Sequence, residues 1–374
     1  MGSIKRIAIS TGGGDAPGLN AVIRAATLAA IERGWEVRGI KHGYRSLLND
    51  EPLMVLDRDA VRGIAHLGGT ILGTANRGDP FHYPTRETPD GPLVPCDRSG
   101  DLVKRCEREG IDAMIAIGGD GSLTIAKKLL DKGLPLVVGV PKTIDNDVAG
   151  TDVTFGFETA VSIATEALDR LHTTTEAHER VMVVEVMGRH AGWIAVACGL
   201  AGGADAILIP EIPYSVERVA EKIRQRQRRG RNFSIIVAAE GAKPLGGSLT
   251  VKSEGDEFRR VEVLGGVAEV LAKSLAELTG KETRSIVLGH LLRGGHPSSA
   301  DRLLALRFGA AAIGEIAAGK QSGMVAMRNG EVTLVPLEDA AGKTRTVPID
   351  KGLVHSARDL GICFGDEAET CFAV

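Results

Sequence analysis

An α/β protein with mostly parallel sheets is what this chain predicts, on two observations: short apolar runs recur along its length, each ending in a Gly-rich turn, and a segment of helical period follows each turn. Its 374 residues suggest two domains at ~100 to 200 residues each, with ample material for cores. Glycines number 48, nearly twice the usual ~7 %. They lack the G-X-Y period of collagen, and the chain is too apolar for disorder, so they must punctuate folded structure.

The units follow in order. Arg6 to Ser10 leads into Thr11-Gly-Gly-Gly-Asp15 and a helix through Asn20 to Glu32, and Ala113 to Ile117 leads into Gly118-Gly-Asp-Gly-Ser122 and a helix to Asp131. Leu136 to Val140 precedes Pro141-Lys-Thr-Ile-Asp-Asn-Asp147, and Val181 to Val186 precedes Met187-Gly-Arg-His190 and an Ala-rich helix. Ala206 to Ile209 comes before a basic helix, Glu217 to Arg229, and Phe233 to Ala239 ends at Glu240-Gly241. Ser285 to Leu288 ends at Gly289-His-Leu-Leu-Arg-Gly-Gly295, before a helix through Arg302 to Ala318. Five prolines between residues 79 and 100 predict an irregular excursion there. Gly241 to Gly266 has no sustained period and reads as a surface insertion, after which Val267 to Leu278 resumes the helical pattern.

Charge and cysteine usage narrow the function. Lys plus Arg number 45 against 48 Asp plus Glu, so the chain has no global positive field of the kind that gathers nucleic acid. Five widely spaced cysteines without a C-x-x-C argue against a disulfide framework or zinc site and fit a reducing cytoplasm. Neither a leader-like apolar run nor a membrane-length stretch is present, and a soluble cytoplasmic protein is expected.

In open α/β sheets, ligands sit at the carboxyl ends of strands, where turns and helix N-termini offer N–H groups to anions. Gly12-Gly13-Gly14-Asp15 is either such a turn or merely a tight one. No Walker A or G-x-G-x-x-G pattern occurs, which weakens P-loop and dinucleotide readings. In Ile117-Gly-Gly-Asp-Gly-Ser122, glycines let backbone approach phosphate while Asp120 offers oxygen to Mg²⁺, or else Asp120 simply caps the helix. Asp145 and Asp147 stand either as proton acceptors beside a transferring phosphoryl group or as turn and cap residues.

Taken together and in this order, the motifs resemble those of the phosphofructokinase family. The likeness runs through Gly13-Gly-Asp-Ala-Pro-Gly18, Gly68-Gly-Thr-Ile-Leu-Gly73, Gly118-Gly-Asp-Gly-Ser122, Pro141 to Asp147, Glu185-Val-Met-Gly-Arg189, Glu240 and His290/Arg293, over roughly residues 5 to 315. It implies two Rossmann-like three-layer α/β/α domains with mostly parallel sheets: a phosphoryl-donor domain over residues 1–156 with a return segment at about 292–374, and a smaller fructose 6-phosphate domain over 157–291. It further implies transfer of the terminal phosphoryl of ATP to the 1-hydroxyl of fructose 6-phosphate, a step of glycolysis, with Mg²⁺.

By the same resemblance, Asp145 is the catalytic base, Thr143 holds the reacting groups, and Arg189, Arg77 and the Gly14 N–H meet charge on the transferred group. Asn76 stands where the family often has that second arginine, and Arg77 follows it. Gly14, Arg77, Gly78, Gly119, Asp120, Gly121 and Ser122 would bind the donor, with Asp120 toward the metal. Thr143, Ile144, Asp145, Arg180, Met187, Gly188, Arg189, Glu240, Arg284, His290 and Arg293 would bind the sugar phosphate, arginine forks suiting a dianion. Arg180 and Arg284 would reach it from a neighbouring subunit, implying a homo-oligomer, a tetramer before a dimer.

Two positions bear on the donor. Pyrophosphate users resemble Gly-Gly-Asp-Asp where this chain has Gly121, and a carboxylate there would oppose the α-phosphate of a nucleotide. Lys142 points the other way, since pyrophosphate enzymes carry lysine there. The missing carboxylate decides for ATP, with a pyrophosphate-dependent phosphotransferase as the alternative and a non-catalytic sugar-phosphate sensor as the alternative of another class. Arg24 matches a family effector contact, but Leu28 and Asp205 depart from the pattern, so no familiar effector control is implied.

Overall fold

A computed structural model describes residues 4–75, 78–86, 91–249, 251–253, 263–319 and 322–366. In chain order the elements of the first half are β1 (Arg6–Thr11), α1 (Leu19–Ile31), β2 (Glu36–Ile40), α2 (Arg45–Leu48), β3 (Met54–Val55), β4 (Tyr83–Arg86), β5 (Leu93–Cys96), α3 (Ser99–Arg108), β6 (Ala113–Gly118), α4 (Asp120–Asp131), β7 (Val137–Pro141) and α5 (Phe157–Ala177). There follow β8 (Val181–Val186), α6 (Trp193–Ala201), β9 (Ala206–Leu208), α7 (Val216–Arg228), β10 (Ser234–Ala239), β11 (Val251–Ser253), β12 (Val263–Leu264), α8 (Val267–Thr279), β13 (Thr283–Val287), α9 (Ser299–Ala317), β14 (Gly323–Arg328), β15 (Glu331–Val335) and α10 (Gly352–Asp359).

These form a seven-stranded sheet, β15-β14-β7-β6-β1-β2-β3, and a four-stranded one, β13-β8-β10-β9. The smaller sheet is parallel throughout, and in the larger only the two edge strands, β3 and β15, pair antiparallel. Both sheets are apolar on both faces, which is why their central strands read as continuous hydrophobic runs. Along β1 and β6, Ile7, Ile9, Ile115 and Ile117 face α1 and α9, while Ala8, Met114 and Ala116 face α3 and α4. In the smaller sheet Val184, Ile207 and Val237 meet α5 and α6, and Val183, Leu208 and Ile236 meet α7 and α8. Each sheet is thus the middle of three layers, as expected.

Two expectations change. Residues 79–100 contain an antiparallel hairpin, β4 with β5, because Pro84 and Pro95 face each other on a two-stranded ribbon whose outer edges need no N–H. In the 241–266 insertion β11 and β12 also pair antiparallel. The C-terminal stretch serves both sheets. Strands β14 and β15 extend the larger one, but Val347, Val354, Ala357, Ile362 and Phe364 join the core of the smaller, where Cys363 bridges to Ala206.

Candidate active site

Strand order reverses on either side of β1, and there the carboxyl ends of β1, β6 and β7 set three Gly-rich or acidic turns side by side. Backbone bonds clamp them: Gly12 N–H donates to Ile117 O at 2.9 Å, and Lys142 N–H to Gly118 O at 2.9 Å. Ser122 packs into the angle between the first two turns. A Cβ on Gly118 would lie only 2.2 Å from its Cβ, so the close approach excludes a side chain there, and one on Gly12 would lie 2.7 Å from its Oγ, which would have to turn aside. The Thr74 hydroxyl donates to Gly13 O on the far side of the first turn.

Gly121 is different. It is exposed, a Cβ there would meet nothing within 4 Å, and as the second residue of α4 it lies among the N–H groups that have no partner within the helix. Asp120 beside it is exposed as well, and Gly119 is half-buried. Lys142 is only 3 % exposed, and its ammonium donates to Gly14 O. Burial and the nearby Arg293 charge bring its pKa down to about 8, against the pull of Asp15, Asp145 and Asp147.

The turn after β7 is shaped by short polar contacts. Thr143 Oγ1 accepts from Asp145 N–H at 3.0 Å, the Thr154 hydroxyl donates to Thr143 O at 2.7 Å, and Asn146 Oδ1 accepts from Thr154 N–H at 3.0 Å. Asn146 itself takes φ 53°, a left-handed conformation that asparagine tolerates. Asp145 is left with a buried Oδ1 that has no hydrogen-bond partner among the described residues. Burial pushes its carboxyl above the ordinary range and Glu240 adds to the push, while Arg293, Lys142 and Arg189 pull it back. Asp147 is pushed up to about 6 by burial and by the charges of Asp145 and Asp120. A carboxylate with a desolvated, unpartnered oxygen amid cations is placed to accept a proton. The Ile144 side chain is fully buried in the core, so only its backbone is available to a ligand.

The smaller sheet supplies the facing wall. Met187 to Arg189 follow β8, and Glu240 and Gly241 follow β10. Gly241 N–H donates to Gly188 O at 3.1 Å, and a Cβ on Gly241 would lie 2.0 Å from Arg189 O, so this crossing admits only glycine. Burial raises the Glu240 carboxyl, opposed chiefly by Arg189. Met187 is buried, with 8 % exposure. Arg293 ends a short 3-10 turn, Gly289–Arg293, and its Nη1 donates to Asp15 O at 3.2 Å. His290, in the same turn, is exposed.

Arg180 and Arg284 are not brought to this cleft. They lie at the amino ends of β8 and β13, and the six residues of β8, at ~3.3 Å each, separate them from Met187 to Arg189 by roughly 20 Å. There they share Glu282, at 3.3 Å and 2.7 Å. Arg77 lies outside the described residues, and Gly78 next to it takes φ 140°. Sequence reading passes over Arg345, whose guanidinium donates to Asn146 O at 3.1 Å. Nothing in the polar Gly342 to Pro348 stretch marks it out.

The family model described as Phosphofructokinase matches residues 6–316. The chain belongs to the phosphofructokinase family. Among its relatives, an ATP-dependent 6-phosphofructokinase of Chloroflexus aurantiacus is 52 % identical over 97 % of this chain and 98 % of that protein. ATP-dependent 6-phosphofructokinase 2 of Clostridium perfringens is 50 % identical over 98 % of this chain and 100 % of its own length. A pyrophosphate–fructose 6-phosphate 1-phosphotransferase of Amycolatopsis methanolica is 49 % identical over 92 % of this chain and 97 % of its own. In structure, the chain is similar to a pyrophosphate-dependent phosphofructokinase of Marinobacter aquaeolei, with a TM-score of 0.77 and 26 % identity over 97 % of this chain and 93 % of that one. The two-sheet architecture is that of the family.

Proposed function

We propose that this chain transfers the terminal phosphoryl group of ATP to the 1-hydroxyl of D-fructose 6-phosphate, giving fructose 1,6-bisphosphate and ADP as a step of glycolysis. The observation that carries the reading is Asp145, a buried carboxylate with an unpartnered oxygen at the strand-order reversal, with Arg189, Arg293 and Lys142 around it. The sugar oxygen forms a bond to the terminal phosphorus as the bond to the leaving ADP oxygen breaks, and the hydroxyl proton passes to Asp145. Thr143 fixes the base through its backbone N–H. Arg189, the Gly14 N–H and Arg77 meet the charge on the transferred group, and removal of one such donor typically costs ~10²- to 10³-fold in kcat. Gly119 to Ser122 present the N-terminus of α4 to the donor phosphates, while Met187, Gly188, Glu240, His290 and Arg293 receive the sugar phosphate.

Mg²⁺ fits the donor set. Among the described residues no three His, Cys, Asp or Glu side chains cluster as a metal cage, which suits a cation held by one or two carboxylates plus phosphate oxygens and water. Asp120 and Asp147, whose charges interact, would hold it. When bound, the ion supplies neutralisation of charge on the donor phosphates.

Arg180 and Arg284 enter the reading as residues of a neighbouring subunit in a homo-oligomer, a tetramer before a dimer, because within one chain they lie at the wrong end of the sheet. A cytoplasmic setting suits the cysteines, with burial holding Cys106 and Cys198 as thiols at about 12. No helix among the described residues is long and apolar enough to cross a membrane.

ATP is favoured as donor by the open space at Gly121 and by the names of the relatives at 52 % and 50 % identity. Lys142 and the Amycolatopsis methanolica relative favour the second reading, pyrophosphate. Purified protein assayed with each donor separates them: turnover with ATP is expected, and turnover with pyrophosphate alone refutes the choice. Asp145→Ser is expected to abolish turnover while fructose 6-phosphate still binds, and unchanged turnover defeats the mechanism.

A further inference from the structure

The stretch from Thr344 to Val347 crosses between the two walls of the cleft. Thr344 bridges to Val148, and Arg345 N–H donates to Asp147 O at 2.7 Å. The Arg345 guanidinium donates to Asn146 O at 3.1 Å and lies over the Trp193 ring, 4.1 Å from its centroid. Trp193 Nε1–H returns a bond to Arg345 O at 2.9 Å. Two residues on, Val347 N–H donates to Glu211 at 2.8 Å, and the same carboxylate accepts from Gly192 N–H at 3.1 Å. One side of this strap therefore holds the carbonyls that flank Asp145 on its C-terminal side. The other holds the first residue of α6, four positions after Arg189.

Asn146 sits in the left-handed region, and its carbonyl and that of Asp147 are both held by Arg345. Arg345 occupies both of its capacities, planar donor and stacking face, which a lysine does not reproduce. We propose that Arg345 is a positioning residue for phosphoryl transfer: through Asn146 O, Asp147 O and Trp193 it fixes the distance between the Asp145 carboxylate and the Arg189 turn, and so aligns the base with the charge-stabilising arginine. The inference rests on Asp145 and Arg189 acting as proposed above.

The test uses full-length Arg345→Met and Arg345→Lys, compared per folded protein by circular dichroism. A misplacement of ~1 Å costs up to about 100-fold, so Arg345→Met is expected to lower kcat ~10- to 100-fold with both KM values within about 3-fold, to move the acid limb of the kcat–pH profile, and to be partly restored by lysine. Trp193 reports directly: with Trp35→Phe as background it is the one tryptophan left, and its emission is expected to shift in Arg345→Met. A merely structural role would lower the melting temperature and leave kcat and the pH limb of the folded fraction unchanged, which overturns the proposal. If Arg345→Met does not fold, Glu211→Gln, at the carboxylate that anchors the strap through Val347 N–H, is measured in its place. Wild-type kcat and pH limb in both Arg345→Lys and Glu211→Gln would equally overturn it. Asp145→Ser separates the failures: an active Asp145→Ser sinks the mechanism, whereas an inactive one alongside a fully active Arg345→Met sinks only the role of the strap.

Discussion

Placing a carboxylate at position 121 isolates charge from fold. In Gly121→Asp the new Cβ has open space around it, with no atom within 4 Å, so no neighbour must move. The position is in the first turn of α4, where an acidic residue is favoured by ~0.3 to 1 kcal/mol and where leaving glycine gains up to ~1 kcal/mol of helix propensity. The melting temperature is expected to hold or rise. A nucleotide laid along this helix terminus would bring its inner phosphate to about 5 Å, and at an effective dielectric of ~20 two unit charges at that distance repel by ~3 kcal/mol. That is a loss of about 100-fold or more in kcat/KM for ATP. Gly121→Ala, with the Cβ but no charge, is expected to stay within about 3-fold. A coupled assay of fructose 1,6-bisphosphate formation with ATP and with pyrophosphate, over a range of salt, reads all of this. If Gly121→Asp uses ATP like the wild type, or if Gly121→Ala falls as far, electrostatic discrimination at this residue is refuted.

Other tests address the rest of the cleft. Folded Asp147 holds its proton up to about 6, so in metal-free buffer it stabilises the protonated fold below that pH and penalises the fold above it. Asp147→Asn should raise the unfolding free energy at pH 8 by on the order of 1 to 3 kcal/mol, read as a higher melting temperature, and scarcely at pH 4, while lowering Mg²⁺-supported turnover; a gain at pH 4 instead reverses the sign. The acid limb of kcat for the wild type is expected above the ordinary carboxylate range, since Asp145 must be ionised to act and its pKa is raised. Arg284→Ala should raise KM for fructose 6-phosphate at least 10-fold with kcat little changed, and mixing it with Asp145→Ser subunits should regain activity if the arginine serves a neighbour's site. Gly241→Ala, with its Cβ 2.0 Å from Arg189 O, should lose stability and turnover together, and a fully active variant would contradict the close crossing.

The parallel framework was legible because its strands are buried on both faces and end in glycine, so apolar runs and turns mark them without tertiary information. Helix α5 was not. Its inward positions Ala160, Ala164 and Leu168 contrast little with their neighbours, and its start is capped from afar by Asp301, whose carboxylate accepts from Thr159 N–H at 2.7 Å. Strand β2 hid for another reason: Glu36 and Arg38 alternate with Val37 at the edge of the core, giving no apolar run. The turns of the cleft could be read as motifs, but not the orphaned Asp145 oxygen, the tether of Lys142 to Gly14 or the strap through Arg345, each of which depends on residues more than a hundred positions apart or on which atom finds a partner. The distance of Arg180 and Arg284 from the cleft likewise follows from strand direction, which residue identity does not carry.

The backbone clamps among the three turns have an evolutionary consequence. Because Gly12 N–H to Ile117 O and Lys142 N–H to Gly118 O are bonds between backbone atoms, these clamps do not depend on which side chains stand at positions 121 and 142. On the proposed reading of these two positions, selection could exchange one phosphoryl donor for another without breaking the clamps. Relatives named for ATP and for pyrophosphate at 52 % and 49 % identity to the same chain are what such a lineage would leave behind.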